Sequence, residues 1–376
     1  MPRVLVAMSG GVDSSVALLL MLEAGYHCDG VTLKLHDAAA SSIADAPDTV
    51  DAAPVDAAAA PAAAAPADAS LEDAALVCAQ FGVEHRTLDL RELFAKKVIA
   101  PFINSYAQGE TPNPCIDCNR EIKFGALLDY AIEQGFDYLA TGHYARISYE
   151  AKQSIYRLLK AVDSTKDQSY MLYQLGQDEL SHLRFPLGEL TKNEVRELAV
   201  AAGLPTATKA ESQDICFIPD NDYQGFIREF STVEAKPGEI VDSHGKLLGY
   251  YQSIADFTIG QRRGLGVAVG HPLYVTDIDA VNHRVTVEAE SGLLHMKVLL
   301  RDIYTPDHHA LQTVTEVTAK YRYRTPEAVA RLVMMDNGRF EVHFAEPQKA
   351  LTPGQSMVCY QGEQVVAGGV IAKVRG

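Results

Sequence analysis

The sequence predicts an α/β protein: an open parallel-sheet domain, then a small central domain, then a C-terminal β-barrel. Three observations carry this. The chain opens on a short apolar run, a glycine turn, a helical pattern and a second apolar run. Alternation of helical and extended patterns continues to about Ile218. From Gly238 onward, short alternating runs separated by Gly, Asn and Asp take over. A chain of 376 residues exceeds what one core usually holds, and the boundaries drawn are 1–220, 221–290 and 291–376.

Each element follows from local pattern. Residues 4–8 (VLVAM) form a buried strand that enters SGG, and residues 13–23 follow as a helix with Val16, Leu19, Leu20 and Leu22 apolar and Gly25 just beyond its end. Residues 29–35 give a second strand, completing a Rossmann-like βαβ unit. Residues 38–69 are Ala and Pro with scattered Asp. They offer little to bury, and Pro47, Pro54, Pro61 and Pro66 interrupt any helix, so a disordered insertion is expected there. Helix resumes at 70–80 with Ser70 as cap and Cys78 on its apolar side. A strand at 83–88, a helix at 121–134, a strand at 136–140 ending in TGHY and a helix at 190–203 complete the first domain. Beyond 238, GEIVDSHGK, GRFEVHFAE and QSMVCYQGEQVVAGGVIA read as hairpins of the kind that build small barrels.

Composition narrows the function classes. The net charge is −16, yet residues 37–73 hold eight acidic side chains and no Lys or Arg, so −8 is left for the rest of the chain. Binding a polyanion needs a local basic surface rather than a basic total. No apolar run reaches 18 residues, so no membrane span is predicted. The first residues lack a basic flank leading into a long apolar stretch, and a cytoplasmic location is expected. Six cysteines in so long a chain are not a disulfide scaffold; reactive or metal-binding thiols are the better reading.

The first chemical motif is SGGVDSS at 9–15. Between a strand and a helix, the amides of Gly10, Gly11 and Val12 can face phosphate oxygens with the helix dipole behind them. Ser9, Ser14 and Ser15 add hydroxyls, and Asp13 belongs beside phosphate only if it helps hold Mg²⁺. The Lys of the common P-loop is missing. The string resembles the pyrophosphate-binding loop of the N-type ATP pyrophosphatases. That likeness implies ATP as the bound nucleotide, with Ala7, Met8, Ser9, Gly10, Gly11, Val12, Asp13 and Ser14 around it, and Leu33 and Gly142 at positions that touch it.

Further stretches are TPNPCIDCNREIKF (111–124), ATGHYAR (140–146), KDQSYMLY (166–173), SQDICFIP (212–219), GQRRGLG (260–266) and TPGQS (352–356). Their order and identity resemble the tRNA-specific 2-thiouridylase family (MnmA/TrmU). The resemblance implies adenylation of the C2 oxygen of the wobble uridine, position 34, in tRNAs for Lys, Glu and Gln. Sulfur transfer from a cysteine persulfide follows, with release of AMP and pyrophosphate. A urea-like oxygen is a poor leaving group and AMP a good one. Release from a persulfide takes two thiols, one bearing the outer sulfur and one attacking the inner. Cys118 matches the catalytic nucleophile and Cys216 the persulfide carrier, with the sulfur brought by a cysteine desulfurase or a sulfur-carrier protein. Arg120 and Lys123 are candidates for lowering the Cys118 pKa.

Cys115 stands where many relatives have Asp, and three readings stay open: a weak stand-in for that Asp, a protective disulfide with Cys118, or, with Cys118 and Cys216, ligation of a [4Fe-4S] cluster. Thiol chemistry is favoured. By resemblance, Asn113, Pro114 and Cys115 face the target base, while Lys166, Asp167, Gln168, Arg322 and Tyr323 contact tRNA. Lys320, Arg322, Arg324 and Arg331 with Tyr321 and Tyr323 are the densest basic-aromatic stretch; strand alternation would put Lys320, Arg322 and Arg324 on one face. His143 reads as a hydrogen-bonded structural residue.

Overall fold

The computed structural model describes residues 1–36, 67–210, 215–218, 222–231, 235–267, 269–306, 314–335 and 338–375. The expected disordered insertion therefore falls outside the described residues, except at its end, where the helix begins three residues earlier than Ser70. The chain divides into two units, one of residues 1–98 and 116–217, the other of residues 99–115 and 218–376.

The first unit is built on five parallel strands, β1 (Arg3–Ala7), β2 (His27–Lys34), β3 (His85–Asp89), β4 (Tyr138–Ala140) and β7 (Leu183–Arg184), in the order β3-β2-β1-β4-β7. Central strand β1 is fully apolar inside: Val4, Leu5 and Val6 have no exposed surface. Helices α1 (Val12–Glu23), α2 (Ala67–Gln80), α3 (Leu127–Glu133) and α4 (Lys192–Ala201) accompany the sheet. Val16, Leu18 and Met21 of α1, Ala74 and Val77 of α2 and Val195 and Ala199 of α4 share one core with Val4 and Val6. Helix α4 starts on a capping box: the Thr191 hydroxyl accepts from the Glu194 amide, and the Glu194 carboxylate accepts from the Thr191 amide at 2.7 Å. An antiparallel hairpin, β5 (Ala145–Glu150) and β6 (Ile155–Lys160), adds to the predicted elements.

The second unit contains the helices Ala100–Ala107 and Tyr223–Phe230, joined by Tyr106 stacked on Tyr223 (5.0 Å) and Phe102 edge-on to Phe226 (6.4 Å). A four-stranded sheet of β8 (Gly238–Asp242), β9 (Leu247–Tyr251), β10 (Tyr274–Asp279) and β11 (Arg284–Glu288) runs in the order β10-β11-β8-β9. Six antiparallel strands follow: β12 (Leu294–Tyr304), β13 (Val314–Lys320), β14 (Ala328–Met334), β15 (Phe340–Lys349), β16 (Ser356–Gln361) and β17 (Gln364–Arg375). Their order is β12-β15-β14-β13-β16-β17, and β17 pairs back to β12, closing a barrel. Val298, Leu332, Val342, Met357, Cys359 and Ile371 fill it.

Strand β13 ends at Lys320, and Arg322 and Arg324 lie in the turn before β14. The Thr325 amide donates to the Arg322 carbonyl there, 3.2 Å away. The one-face alternation expected of Lys320, Arg322 and Arg324 is thus corrected: the chain bends before the pattern can repeat.

Candidate active site

The SGGVDSS loop joins β1 to α1 in the first unit. Gly10 takes φ +68°, and a Cβ there would come within 2.2 Å of the Ser70 carbonyl oxygen in the first turn of α2. The serines fold inward. The Ser14 and Ser15 hydroxyls donate to the Gly11 carbonyl at 3.1 and 2.8 Å, and the Ser9 amide donates to Ser14 Oγ at 3.2 Å. Gly11 enters α1 in an extended conformation and has no side chain to cap the helix. The first amides of α1 have no intrahelical acceptor by construction and carry the positive end of the dipole, which is an anion-binding arrangement.

Residues distant in sequence hold the loop. Gly142 packs on its backbone: a Cβ there would lie 2.8 Å from the Asp13 carbonyl carbon and 2.9 Å from the Ser14 nitrogen. Asp13 Oδ1 accepts from Lys192 Nζ at 2.6 Å and from the Tyr144 hydroxyl at 2.8 Å. Lys209 Nζ donates to the Gly10 carbonyl at 2.9 Å and to Asp73 at 2.6 Å. Thr206 donates to Ser15 Oγ at 3.0 Å. Sequence reasoning missed Lys192, Lys209, Tyr144 and Thr206; the only local signal was the Lys that follows Thr191 at the head of a clear helix. Leu33, at the end of β2, is half-buried and pairs with Leu88. Ala7 ends β1, and Met8, at 2 % exposure, sits in the core below the loop.

Lys192 also lines a cleft of about 520 Å³ with Asp163, Thr165, Lys166, Asn193 and Arg196. Of the KDQ residues expected to face RNA, Lys166 opens onto this cleft, while Asp167 and Gln168 turn inward. The buried Asp167 carboxylate accepts from the Ala161 amide, the Ser169 amide and the Ser169 hydroxyl at 3.0, 3.1 and 2.9 Å. Gln168 Oε1 accepts from the Tyr144 amide at 2.9 Å. These two side chains hold the loop in shape rather than face outward. Arg322 likewise spends its guanidinium inside its own unit, donating to the Ala350 carbonyl at 2.7 Å and to Thr352 at 3.1 Å. Tyr323 lies beneath Lys320, 5.5 Å from its ammonium.

Cys28, Cys78 and Cys359 are buried core thiols, pushed up by burial to about 11, 11 and 12, which makes them poor nucleophiles. The other three sit elsewhere. Asn113 Oδ1 accepts from the Cys115 amide at 3.2 Å at the start of the short helix Pro114–Asp117, and Cys115 is exposed. Cys118 is buried and opens a nine-residue stretch of wide π-type turns, Cys118–Ala126. Asn119 Nδ2 donates to the Met171 carbonyl at 3.1 Å, tying that stretch to the KDQSYMLY segment. Cys216 is exposed in a turn, anchored by the buried Phe217, which packs edge-on against Phe94 at 5.7 Å. The short helix Arg91–Phe94 in turn packs against the Cys118–Ala126 stretch. Both thiols thus belong to the first unit, and Cys115 to the second.

Charges around Cys118 are partly committed. Arg120 pairs with Glu121 at 3.3 Å, and Lys97 with the same carboxylate at 3.0 Å. Burial pushes Asp117 up to about 6, with Arg120 opposing and Glu121 adding. His143 is buried and bonded to Thr141 at 2.7 Å; burial, then the Lys123 charge, holds its pKa far below the imidazole range, so it is neutral. Among the described residues no group of three or more His, Cys, Asp or Glu side chains is gathered around a common metal position. No helix among them is long and apolar enough to cross a membrane.

Three family models match consecutive parts of the chain: a tRNA methyl transferase HUP domain at residues 2–220, a tRNA methyl transferase PRC-barrel domain at 224–289 and an aminomethyltransferase beta-barrel domain at 300–371. The chain is 43% identical over 378 residues to tRNA-specific 2-thiouridylase MnmA 2 of Thermoanaerobacter sp. (strain X514), covering 99% of this chain and 98% of the relative. It is 42% identical to the MnmA of Roseiflexus castenholzii, covering 99% and 100%, and 44% identical to that of Moorella thermoacetica, covering 98% and 99%.

Proposed function

Because this chain belongs to the tRNA-specific 2-thiouridylase family, we propose that it is a tRNA-uridine 2-sulfurtransferase that uses ATP to replace the C2 oxygen of the wobble uridine with sulfur. The observation that carries the reading is the pairing, on one unit, of an anion-binding loop with two further cysteines, the buried Cys118 and the exposed Cys216. A small-molecule ligase would need only the first.

The chemistry follows from those groups. The first amides of α1, with the exposed Ser9 hydroxyl beside them, hold the β- and γ-phosphates, and the uridine C2 oxygen attacks the α-phosphorus, expelling pyrophosphate. Asp13 Oδ1 is committed to Lys192 and Tyr144, so its other carboxylate oxygen is the one that would meet Mg²⁺, which would neutralise charge on the leaving pyrophosphate. The outer sulfur of a Cys216 persulfide attacks C2 and AMP departs. The Cys118 thiolate then attacks the Cys216 sulfur, breaking the S–S bond, releasing the 2-thiolate of the base and leaving a Cys118–Cys216 disulfide. A thiol reductant returns that disulfide to two thiols, and a cysteine desulfurase or a sulfur carrier reloads Cys216. Lys166 contributes to the RNA-facing surface.

The test is a thiolation assay on tRNA bearing uridine 34, with pyrophosphate release followed separately. Cys118→Ser and Cys216→Ser should each abolish thiolated product while pyrophosphate release continues; Cys115→Ser should keep measurable product. Full thiolation by either of the first two variants would overturn the reading.

A further inference from the structure

The TPGQS stretch lies within a turn of the barrel, and the second unit shows what that turn holds. The Thr111 amide donates to the Pro353 carbonyl at 2.9 Å. Gln355 Nε2 donates to the Thr111 carbonyl at 2.8 Å and to the Pro112 carbonyl at 3.2 Å. Gly354, at φ +89°, lets the two backbones meet: a Cβ there would stand 2.8 Å from the Thr111 nitrogen. One residue earlier, the Glu110 carboxylate takes a bidentate pair from Arg301 on β12, both contacts at 2.6 Å. On its other side the turn is braced by Arg322, through the Ala350 carbonyl and the buried Thr352 hydroxyl.

A loop of this composition, TPNP, has little of its own to fix it: two prolines supply no donors, and there is no regular ladder until Pro114. The bonds from Gln355 and to the Pro353 carbonyl therefore fix the Thr111–Pro112 backbone, ahead of the Asn113–Cys115 contact that opens the short helix. We infer that the barrel turn 350–355 is a positioning device for the segment that carries Cys115 and leads to Cys118, with Gln355 as its positioning residue and Arg322 as its brace. The inference rests on the proposed thiolation only for its consequence, that product formation depends on where this segment is held. The geometry also gives Arg322 a second task. Any phosphate that drew its guanidinium away would loosen the turn, and with it the Thr111–Pro112 backbone.

Hydrogen exchange followed by mass spectrometry on the full chain tests the device without any reliance on activity. Gln355→Ala, and Gln355→Glu, which keeps the shape but loses both donors, should speed exchange in the peptide covering 109–115 by about tenfold. Arg322→Ala should do the same from the far side of the turn. Amides of β12–β17 should stay protected. In the thiolation assay the Gln355 variants should lose turnover with an unchanged ATP KM. Unchanged exchange at 109–115 in both Gln355 variants would overturn the inference, as would acceleration spread equally over the barrel strands. Wild-type protein that forms no thiolated tRNA would defeat the functional reading, while the exchange result would still decide the role of the turn.

Discussion

Gly142 offers the sharpest single test of the nucleotide loop. In Gly142→Ala, the new methyl would meet the Asp13 carbonyl carbon at 2.8 Å, the Ser14 nitrogen at 2.9 Å and the Asp13 oxygen at 3.0 Å. Ordinary contact begins at 3.4 Å, so something must retreat by about 0.6 Å. All three atoms are backbone in the first turn of α1, so no flexible side chain can absorb the strain. Overpacking of this kind costs roughly 1–3 kcal/mol. Because the Ser14 nitrogen is one of the first-turn amides that would meet phosphate, and the Asp13 carbonyl is bonded to it, the cost should be read in binding: about five- to 150-fold in ATP Kd. Calorimetric titration of ATP–Mg²⁺ measures this, with urea unfolding alongside to bound the stability loss. An ATP Kd within about twofold of wild type would refute the argument that this close approach sets the loop.

The remaining predictions concern charges. Asp117 is raised to about 6 by burial, so the folded protein keeps a proton that the unfolded chain gives up near 4. Stability therefore falls as pH rises between those values, and Asp117→Asn should raise the melting temperature at pH 7.5 while changing it little at pH 4. An equal effect at both pH values would argue against the shift. Lys209 holds both Gly10 and Asp73, so Lys209→Met should raise the ATP KM several-fold more than Asp73→Asn, which leaves the bond to the Gly10 carbonyl in place. Equal effects from the two variants would assign the contribution to the ion pair alone.

What could be read in advance divides along a physical line. Strand β1, the glycine turn and α1 were legible because their signals are local: an apolar run, two glycines, and Leu and Val at helical spacing. The closing of six strands into a barrel was visible as a class, from short alternating runs, while their order was not. The hairpin β5–β6 escaped because its strands mix Arg, Ser and Tyr with apolar residues, leaving no clean alternation. Within the site, SGGVDSS declares itself through its glycines and serines between strand and helix, and Cys118 stood out only through the family resemblance of the stretch around it. Lys192 and Lys209 do not, since their partners lie 179 and 199 residues away. Asp167 and Arg322 show the converse: polar residues in polar stretches look available in one dimension and prove to be committed to carbonyls, amides and hydroxyls of their own unit.

The wide-turned stretch that begins at Cys118 constrains how such a chain can drift. Ordinary helical pitch advances about 100° per residue, so one amino acid lost anywhere between 119 and 126 would let the backbone relax into a regular helix while swinging the thiol a quarter turn or more relative to α3. Replacement of side chains along that stretch leaves its direction intact; a change in its length does not. Length variation among descendants of this gene should therefore be rarer there than in the helices on either side.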